Sequence, residues 1–87
     1  MAFVYILKSI NFQKYYIGST KRTPRQRLRD HNLGLVKSTK AIKPLELMVF
    51  KKCITYTQAR KVENRLKKLK RKDYIQKIVN DGFIKIS

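Results

Sequence analysis

The sequence has very little negative charge. Its 87 residues include five acids against 22 lysines and arginines, so the formal net charge is +17 and the isoelectric point is about 10.5. A field of this sign and size favours a polyanionic partner, either nucleic acid or an anionic membrane surface. Other features of the sequence decide between these two partners.

The sequence also lacks a long hydrophobic run. The longest N-terminal run, AFVYIL, ends at Lys8 and is too short for a signal sequence or a membrane-spanning helix. The most basic segment, residues 57–72, lacks the broad aromatic-rich apolar face of a helix that lies on a membrane surface. We therefore expect a cytoplasmic protein that binds nucleic acid, with no membrane partner and no small-molecule cofactor.

Soft metal ligands are almost absent. Cys53 is the only cysteine and His31 the only histidine, which excludes an internal disulfide and a structural zinc site. A lone cysteine in a strand is most often a small buried apolar residue, so we expect Cys53 in the core. Because 43% of the residues are hydrophobic, residues 1–87 are expected to form a single domain with one modest core.

Hydrophobic patterning predicts an α+β domain, with a small three-stranded antiparallel sheet flanked by helices. The predicted order is β-β-α-β-α plus a short C-terminal helix. Residues 2–7 and 15–18 are expected to form a hairpin. Residues 45–54 are largely apolar, which predicts a third strand that is central or covered on both faces.

Three helices are predicted from capping residues and apolar spacing. Thr23, Pro24 and Gln26 form a typical helix start and Gly34 a typical stop, which predicts a helix over 23–34. The second helix would be capped by Thr55 or Thr57, and its apolar stripe is Ala59, Val62, Leu66 and Leu69. The third would run from Asp73 to Asp81-Gly82, followed by residues 83–86 as a docked tail or short strand. Its inward residues would be Tyr74, Ile75, Ile78 and Val79.

An acid inside the most basic segment is the least expected feature. Residues 57–72 contain eight lysines and arginines and one acid, Glu63. On a helical wheel, Glu63 lies about 80° from the centre of the apolar stripe, so its carboxylate can lean toward the sheet and meet Tyr5 and Tyr16. The simpler alternative is an ordinary ion pair with Lys67, worth a few tenths of a kcal/mol.

Other candidate site residues also have simple structural interpretations. Arg27 and His31 lie four residues apart and project from one side of the first helix. Arg27 can be a solvated or phosphate-contacting arginine, and His31 a helix-end histidine that interacts with the dipole. Tyr5 and Tyr16 can be cross-strand core aromatics. Taken singly, none of these residues indicates a function.

Taken together, their order resembles the GIY-YIG nuclease family over almost the whole chain, from Phe3 to about Leu69. The first family triplet corresponds to Phe3-Val4-Tyr5, with Phe3 in place of glycine, and the second is present as Tyr16-Ile17-Gly18. RLRDH at 27–31 resembles the family's arginine helix, and ARKVENRLKK at 59–68 its acidic helix. The size and the segment STKAIKPLEL are most similar to small stand-alone bacterial members. The domain is also similar to the N-terminal domain of the excision-repair nuclease.

The resemblance implies a metal-dependent endonuclease that hydrolyses DNA phosphodiesters, in repair or recombination. Glu63 would bind a single divalent ion, Mg²⁺ or Mn²⁺. Tyr5 would act as the general base or orient the attacking water, and Arg27 would neutralise the scissile phosphate. Tyr16 and His31 would complete the proton and phosphate network.

Two assignments within this resemblance stay open. The turn between Tyr16 and Arg27 is about one residue longer than usual in the family, so Arg25 is a minor rival to Arg27. Many members use an asparagine beyond the acidic helix, for which Asn80 is the nearest candidate or simply a polar helix-end residue. Gly18 is expected to allow close approach where its strand leaves the sheet.

The positive charge has three expected consequences. It should favour the phenolate of Tyr5. It should make metal binding weak in the free protein and tighter with DNA, because Mg²⁺ commonly binds one or two carboxylates plus substrate phosphates. A basic track should contact the DNA backbone without reading bases, so that binding falls steeply with salt. The expected nucleic-acid-binding residues are Lys21, Arg22, Arg25, Arg60, Lys67, Lys70 and Arg71.

Two other functions fit parts of the sequence. One is a basic nucleic-acid-binding module on the same fold without catalysis, and the other is a small ribosome- or RNA-associated protein. A monomeric nuclease would give single-strand incisions. The hydrolytic interpretation requires that Glu63 does not lie on the far side of the sheet from both Tyr5 and Tyr16.

Overall fold

The computed structural model describes residues 1–69 and 72–84. Within them it confirms the predicted α+β fold, a three-stranded antiparallel sheet with flanking helices. No helix in these ranges is long and apolar enough to cross a membrane. The elements are β1 (Ala2–Ser9), β2 (Tyr15–Thr20), α1 (Pro24–Asn32), a 3-10 helix (Lys37–Ile42), β3 (Leu45–Cys53), α2 (Tyr56–Leu69) and α3 (Lys72–Asp81).

The central strand of the sheet is β1, because the strand order is β2-β1-β3. The prediction that the third strand is central was therefore wrong, whereas its alternative, cover on both faces, is confirmed in part, because Leu45 lies in one core and Val49 and Cys53 lie in the other. Along β3, Leu45, Val49 and Cys53 are buried, whereas Glu46 and Lys52 are exposed. Charged side chains need access to water, which a strand at the edge of the sheet provides. Cys53 is buried, as predicted.

Alternation along β1 builds one core on each face of the sheet. Val4 and Ile6 face α2 and α3 in the larger core. Tyr5 and Leu7 face the opposite side, where Leu28 of α1 packs on them. Helices therefore cover both faces, and the side chains of Tyr5 and α1 belong to the same layer.

The start of α1 has the predicted capping geometry. The Thr23 hydroxyl accepts from the Gln26 backbone N–H at 3.2 Å, and the Gln26 side chain accepts from the Thr23 N–H at 3.1 Å. At the other end, the Asn32 side chain donates to the Leu45 carbonyl at 2.9 Å and accepts from the Leu45 N–H at 2.7 Å. These contacts fix both ends of α1, and thereby its orientation on the sheet.

The α2 helix begins at the first of its two candidate caps. The Thr55 hydroxyl accepts from the backbone N–H of Gln58 at 3.1 Å, so Thr55 and not Thr57 fills this role. The predicted apolar stripe faces the larger core, with Leu69 partly buried at its end.

The α3 helix packs against the same core through fewer residues than predicted. Ile75 and Ile78 are buried and Val79 packs against them, but Tyr74 is 50% exposed. On a helical wheel, Tyr74 lies roughly 90° from the centre of the face that Ile75, Ile78 and Val79 share, so its ring points away from the core. In the predicted C-terminal tail, Ile84 is buried. Residues 85–86 lie outside the described ranges.

Candidate active site

Tyr5 is held in the middle of the sheet with its phenol over the neighbouring strand. The residue is 1% exposed and pairs with Gly18 of β2. A Cβ added at Gly18 would lie 2.5 Å from the Tyr5 oxygen and 3.0 Å from the Tyr16 ring. The absence of a side chain at Gly18 therefore creates the space that the phenol occupies.

This contact changes the expected role of Gly18. The strand does not leave the sheet at this residue, because β2 continues to Thr20. Close approach does occur there, but the approaching group is the Tyr5 side chain and not the backbone of a departing strand.

His31 completes a buried polar cluster with the two strand tyrosines. Its Nε2 lies 3.1 Å from the Tyr5 oxygen and its Nδ1 lies 2.6 Å from Oγ1 of Thr39. The His31 ring centroid is 4.8 Å from that of Tyr16 and 5.9 Å from that of Tyr5. His31 is fully buried, so the simple helix-end interpretation does not describe it.

Burial also sets the charge of His31. Loss of solvation and, to a smaller extent, the neighbouring Arg27 lower the pKa of His31 to about 4, although Asp30 opposes this effect. His31 is therefore neutral at pH 7, with one ring nitrogen available as a proton acceptor.

Arg27, and not Arg25, is the arginine that faces the tyrosines. The half-buried Arg27 guanidinium interacts with the Tyr5 oxygen and donates to Asp30 Oδ2 at 3.2 Å. Asp30 also accepts from Arg22 at 2.8 Å, so it orients two cations at once. Arg25 is exposed on the same helix.

The environment of Tyr5 raises the pKa of its phenol. Burial is the largest cause, and the negative forms of Tyr16 and Glu63 add to it, while Arg27 acts in the opposite direction. Arg27 does favour the Tyr5 phenolate, as expected of a positive charge, but the pKa is raised overall because the desolvation of a buried anion outweighs one adjacent guanidinium.

Glu63 is buried on α2 and faces the edge strand β2. The Ser19 hydroxyl donates to Glu63 Oε1 at 2.5 Å, while Lys67 lies 2.6 Å from Oε2 and Arg60 lies 4.0 Å from Oε1. Both interpretations of the sequence therefore apply. The carboxylate leans toward the sheet, and it also forms the ion pair with Lys67.

Glu63 and Tyr5 reach β2 from opposite faces of the sheet. Ser19, which binds Glu63, directly follows Gly18, over which the Tyr5 phenol lies. We had expected the carboxylate to meet the tyrosines, but it does not contact them directly. It is nevertheless close enough to raise the pKa of Tyr5. Tyr16 shares the face of Tyr5, so Glu63 lies on the far side of the sheet from both tyrosines, and the condition set for the hydrolytic interpretation is not met. The two groups can approach each other only around the free edge of β2.

A cleft of about 400 Å³ opens at this edge. It joins Ser19, the partner of Glu63, to Arg27, the partner of Tyr5. On its rim, Lys21 Nζ lies 5.4 Å from the centroid of the Tyr56 ring. The lining residues are Ser19, Thr20, Lys21, Arg22, Arg27 and Tyr56.

A family model, the GIY-YIG catalytic domain, matches residues 1–78. The chain belongs to the GIY-YIG family. Neither the curated proteins nor the solved structures compared with it gave a match. Membership implies nuclease-type phosphodiester hydrolysis with a nucleic acid as substrate, and the family generally uses a divalent metal.

The GIY-YIG residues of this chain offer one carboxylate to such a metal. Among the described residues, no three His, Cys, Asp or Glu side chains form a metal-binding group. Glu63 is nevertheless a suitable donor, because its carboxylate is held in place beside an open cationic cleft. Mg²⁺ commonly uses one or two carboxylates and completes its coordination with water and substrate phosphates.

The predicted nucleic-acid-binding residues are placed differently around this GIY-YIG site. Lys21 and Arg22 line the cleft, whereas Arg60 and Lys67 flank Glu63 with their side chains about half exposed. Arg25 is exposed on α1. The predicted contacts Lys70 and Arg71 lie outside the described residues.

Ser19, Asp30 and Thr39 each form a hydrogen bond with a proposed GIY-YIG site residue, and none of the three was predicted as part of the site. Ser19 binds Glu63, and period-2 alternation in YYIGST places it on the face opposite Gly18, which was the available signal. Thr39 binds His31 from a connecting segment with no regular pattern, so no local signal marks it. The candidate Asn80 is exposed on α3, where it accepts a hydrogen bond from Gln76.

Proposed function

We propose that this GIY-YIG protein is a divalent-metal-dependent endonuclease that hydrolyses DNA, with residues 1–87 as one nuclease domain of the small stand-alone type. The observation that carries the proposal is the family match over residues 1–78, and two groups on either side of the free edge of β2 would supply the chemistry. Tyr5 with Arg27 and His31 forms the first group, and Glu63 with Ser19 forms the second.

Tyr5 is the group that acts on the attacking water. Its phenol is held by His31 and lies beside the Arg27 guanidinium, which lines the cleft. Because burial keeps the phenol protonated, Tyr5 can remove a proton from water only if its own proton moves to an acceptor. Neutral His31, at 3.1 Å, is that acceptor.

Arg27 neutralises the scissile phosphate. Asp30 holds one side of its guanidinium, so the remaining N–H groups can be directed at phosphate oxygens in the cleft. Tyr16 packs against the His31 ring and closes the polar cluster from the β2 side, next to the phosphate position.

Glu63 would hold a single Mg²⁺ or Mn²⁺ ion. A metal at this position polarises the phosphate and stabilises the leaving 3′-oxygen. Ser19 orients the carboxylate toward β2, and Lys67 compensates its charge when the substrate is absent. One carboxylate and a strongly basic surface together favour loading of the ion with the nucleic acid.

The decisive experiment is nicking of supercoiled plasmid, with Mg²⁺ or with a chelator, by the wild-type protein and by Glu63→Gln. Glu63→Gln preserves the shape and the Ser19 contact but removes the charge that binds the ion. We expect metal-dependent nicking by the wild type and none by the variant prepared identically. Branched, single-stranded and RNA substrates in the same assay define the substrate class.

One observation favours a second function, a nucleic-acid-binding module without catalysis. Both carboxylate oxygens of Glu63 already have partners, namely Ser19 and Lys67, which is the arrangement of a structural ion pair. In that case wild type and Glu63→Gln would bind the oligonucleotides equally and neither would cut.

A further inference from the structure

Thr39 lies in the 3-10 helix and closes the far side of the polar cluster. Thr39 and His31 are both fully buried, and their side chains meet at 2.6 Å between Oγ1 and Nδ1. The contact joins residues eight apart in sequence, through a segment that packs against α1. A short, buried hydrogen bond to a histidine controls which ring nitrogen carries the proton.

The hydrogens in this cluster are consistent with one arrangement. The Thr39 hydroxyl has a single hydrogen, which it can donate to the Val36 carbonyl at 3.4 Å. It then accepts from Nδ1–H of His31, which leaves the Nε2 lone pair facing the Tyr5 oxygen at 3.1 Å. The Tyr5 O–H donates to that lone pair.

The opposite tautomer fits less well. If Nε2 carried the hydrogen, the Tyr5 oxygen would accept from His31 while also facing the Arg27 guanidinium. The Tyr5 O–H would then have no acceptor among the residues that the structure describes. An unsatisfied donor on a residue with 1% exposure is costly, typically about 1–3 kcal/mol.

We propose that Thr39 is a positioning residue that fixes His31 in the Nδ1–H tautomer, so that Nε2 can accept the Tyr5 proton. Its importance for activity rests on the proposed function. When water attacks, the Tyr5 O–H bond breaks, its proton bonds to Nε2, and a phenolate beside Arg27 and an imidazolium form together. The Nδ1–H bond to Thr39 remains in place, and the phenolate takes the proton of the water, whose oxygen bonds to phosphorus as the bond from phosphorus to the 3′-oxygen breaks. The imidazolium then returns its proton through solvent to the 3′-oxygen, so that Tyr5 and His31 end in their starting states.

The tautomer can be measured without DNA, metal or activity. Because the chain has one histidine, a ¹⁵N-resolved long-range correlation spectrum of the imidazole reports His31 alone. At pH 7 we expect Nδ1 protonated and Nε2 bare in the wild type and in Thr39→Ser. In the isosteric Thr39→Val, which cannot accept the hydrogen bond, we expect the population to shift toward Nε2–H.

Two results would overturn the proposal: an Nε2–H tautomer in the wild type, or an unchanged tautomer in Thr39→Val. The wild-type spectrum decides the first point even if Thr39→Val does not fold. As a second readout, plasmid nicking should fall by about 10-fold or more in Thr39→Val and stay near wild type in Thr39→Ser, since a wrong tautomer disables a catalytic histidine. An inactive wild type with the expected tautomers would reject the nuclease and leave the role of Thr39 intact.

Discussion

The Tyr5 phenol lies over the backbone of Gly18 in the adjacent strand, 2.5 Å from where a Cβ would stand. The tyrosine of the first family triplet and the glycine of the second therefore form one structural unit. They are directly paired in the antiparallel register, so their side chains point to the same face. The glycine is needed because a tyrosine occupies the position of its side chain.

Gly18→Ala should displace the Tyr5 ring and abolish most of the nuclease activity. The added methyl group would overlap the Tyr5 hydroxyl oxygen at 2.5 Å and the ring carbon Cζ at 2.6 Å, so the phenol must move away from His31. We expect a loss of about 1–3 kcal/mol in unfolding free energy. Nicking should fall by about 100-fold or more, since small displacements of catalytic groups carry costs of this size.

A matched control is Gly34→Ala, which replaces a glycine with φ of +79° after α1. The alanine should cost about 1 kcal/mol through backbone strain, and its nearest neighbour is the flexible end of Lys43 at 3.3 Å. If Gly34→Ala lowers nicking as much as Gly18→Ala does, general destabilisation rather than displacement of Tyr5 explains both.

His31 should make the protein less stable in mild acid. Its pKa is lowered from 6.5 in the unfolded chain to about 4 in the folded protein. Between these pH values the unfolded state therefore binds more protons than the folded state. The contribution of neutral His31 to the free energy of unfolding is complete above about pH 6.5 and is lost as the pH falls toward 4. The loss amounts to about 3 kcal/mol at most.

Urea unfolding at pH values from 4 to 7 measures this effect. The control is His31→Gln, which retains hydrogen-bonding groups but has no charge to gain. The other titrating groups are common to both proteins, so the difference in the pH slope isolates His31. Equal slopes would show that His31 titrates normally.

Much of the fold could be predicted from sequence because its signals are local. The α1 cap depends on residues three apart, Thr23 and Gln26, and the faces of β1 on strict alternation. Glu63 could be placed at the border of the α2 stripe by helical geometry alone, and it is buried there. Each of these features depends on residues that lie within one helical turn of each other or alternate along one strand.

The missed features depend on partners distant in the chain. The apolar content of residues 45–54 did not show that β3 lies at an edge, because that depends on which strand β1 pairs with on each side. The pKa of Tyr5 depends on burial beneath α1, which a count of nearby cations does not capture. Thr39 reaches His31 only through the path of the 3-10 helix.

Binding to DNA should weaken steeply with salt, with a slope that reports individual contacts. Lys21 on the cleft rim and Arg60 beside Glu63 are positioned to contact phosphates. Alanine at either position should reduce the slope of log K against log salt by about 1. Fluorescence anisotropy with a labelled oligonucleotide at several salt concentrations measures the slope.

The matched control for Arg60 is its neighbour Lys61, which lines a separate cleft with Ile54 and Gln58. Lys61→Ala removes the same charge from the same helix and should leave the slope close to wild type. If the effects of Arg60→Ala and Lys61→Ala are equal, net charge rather than a defined track determines binding.

Metal affinity should depend on whether nucleic acid is bound. In the free protein, Lys67 and Ser19 occupy both oxygens of Glu63, so an ion must compete with an ammonium group 2.6 Å away. Bound phosphates would supply further ligands and reduce the repulsion from the net charge of +17. We expect Mn²⁺ to bind about 10-fold more tightly with an oligonucleotide, and Mn²⁺ to tighten oligonucleotide binding by the same factor.

Calorimetry measures the affinity for Mn²⁺ with and without the oligonucleotide, and the affinity for the oligonucleotide with and without Mn²⁺. The protein carries Tyr5→Phe, which is expected to leave the DNA uncut. Glu63→Gln in the same background corrects for Mn²⁺ bound by the DNA alone. Lys67→Met should raise the Mn²⁺ affinity of the free protein, because it removes the competing cation but not the carboxylate. An affinity unchanged by either the oligonucleotide or Lys67→Met would mean that Glu63 is not the metal ligand, and the carboxylate would then be a structural ion pair.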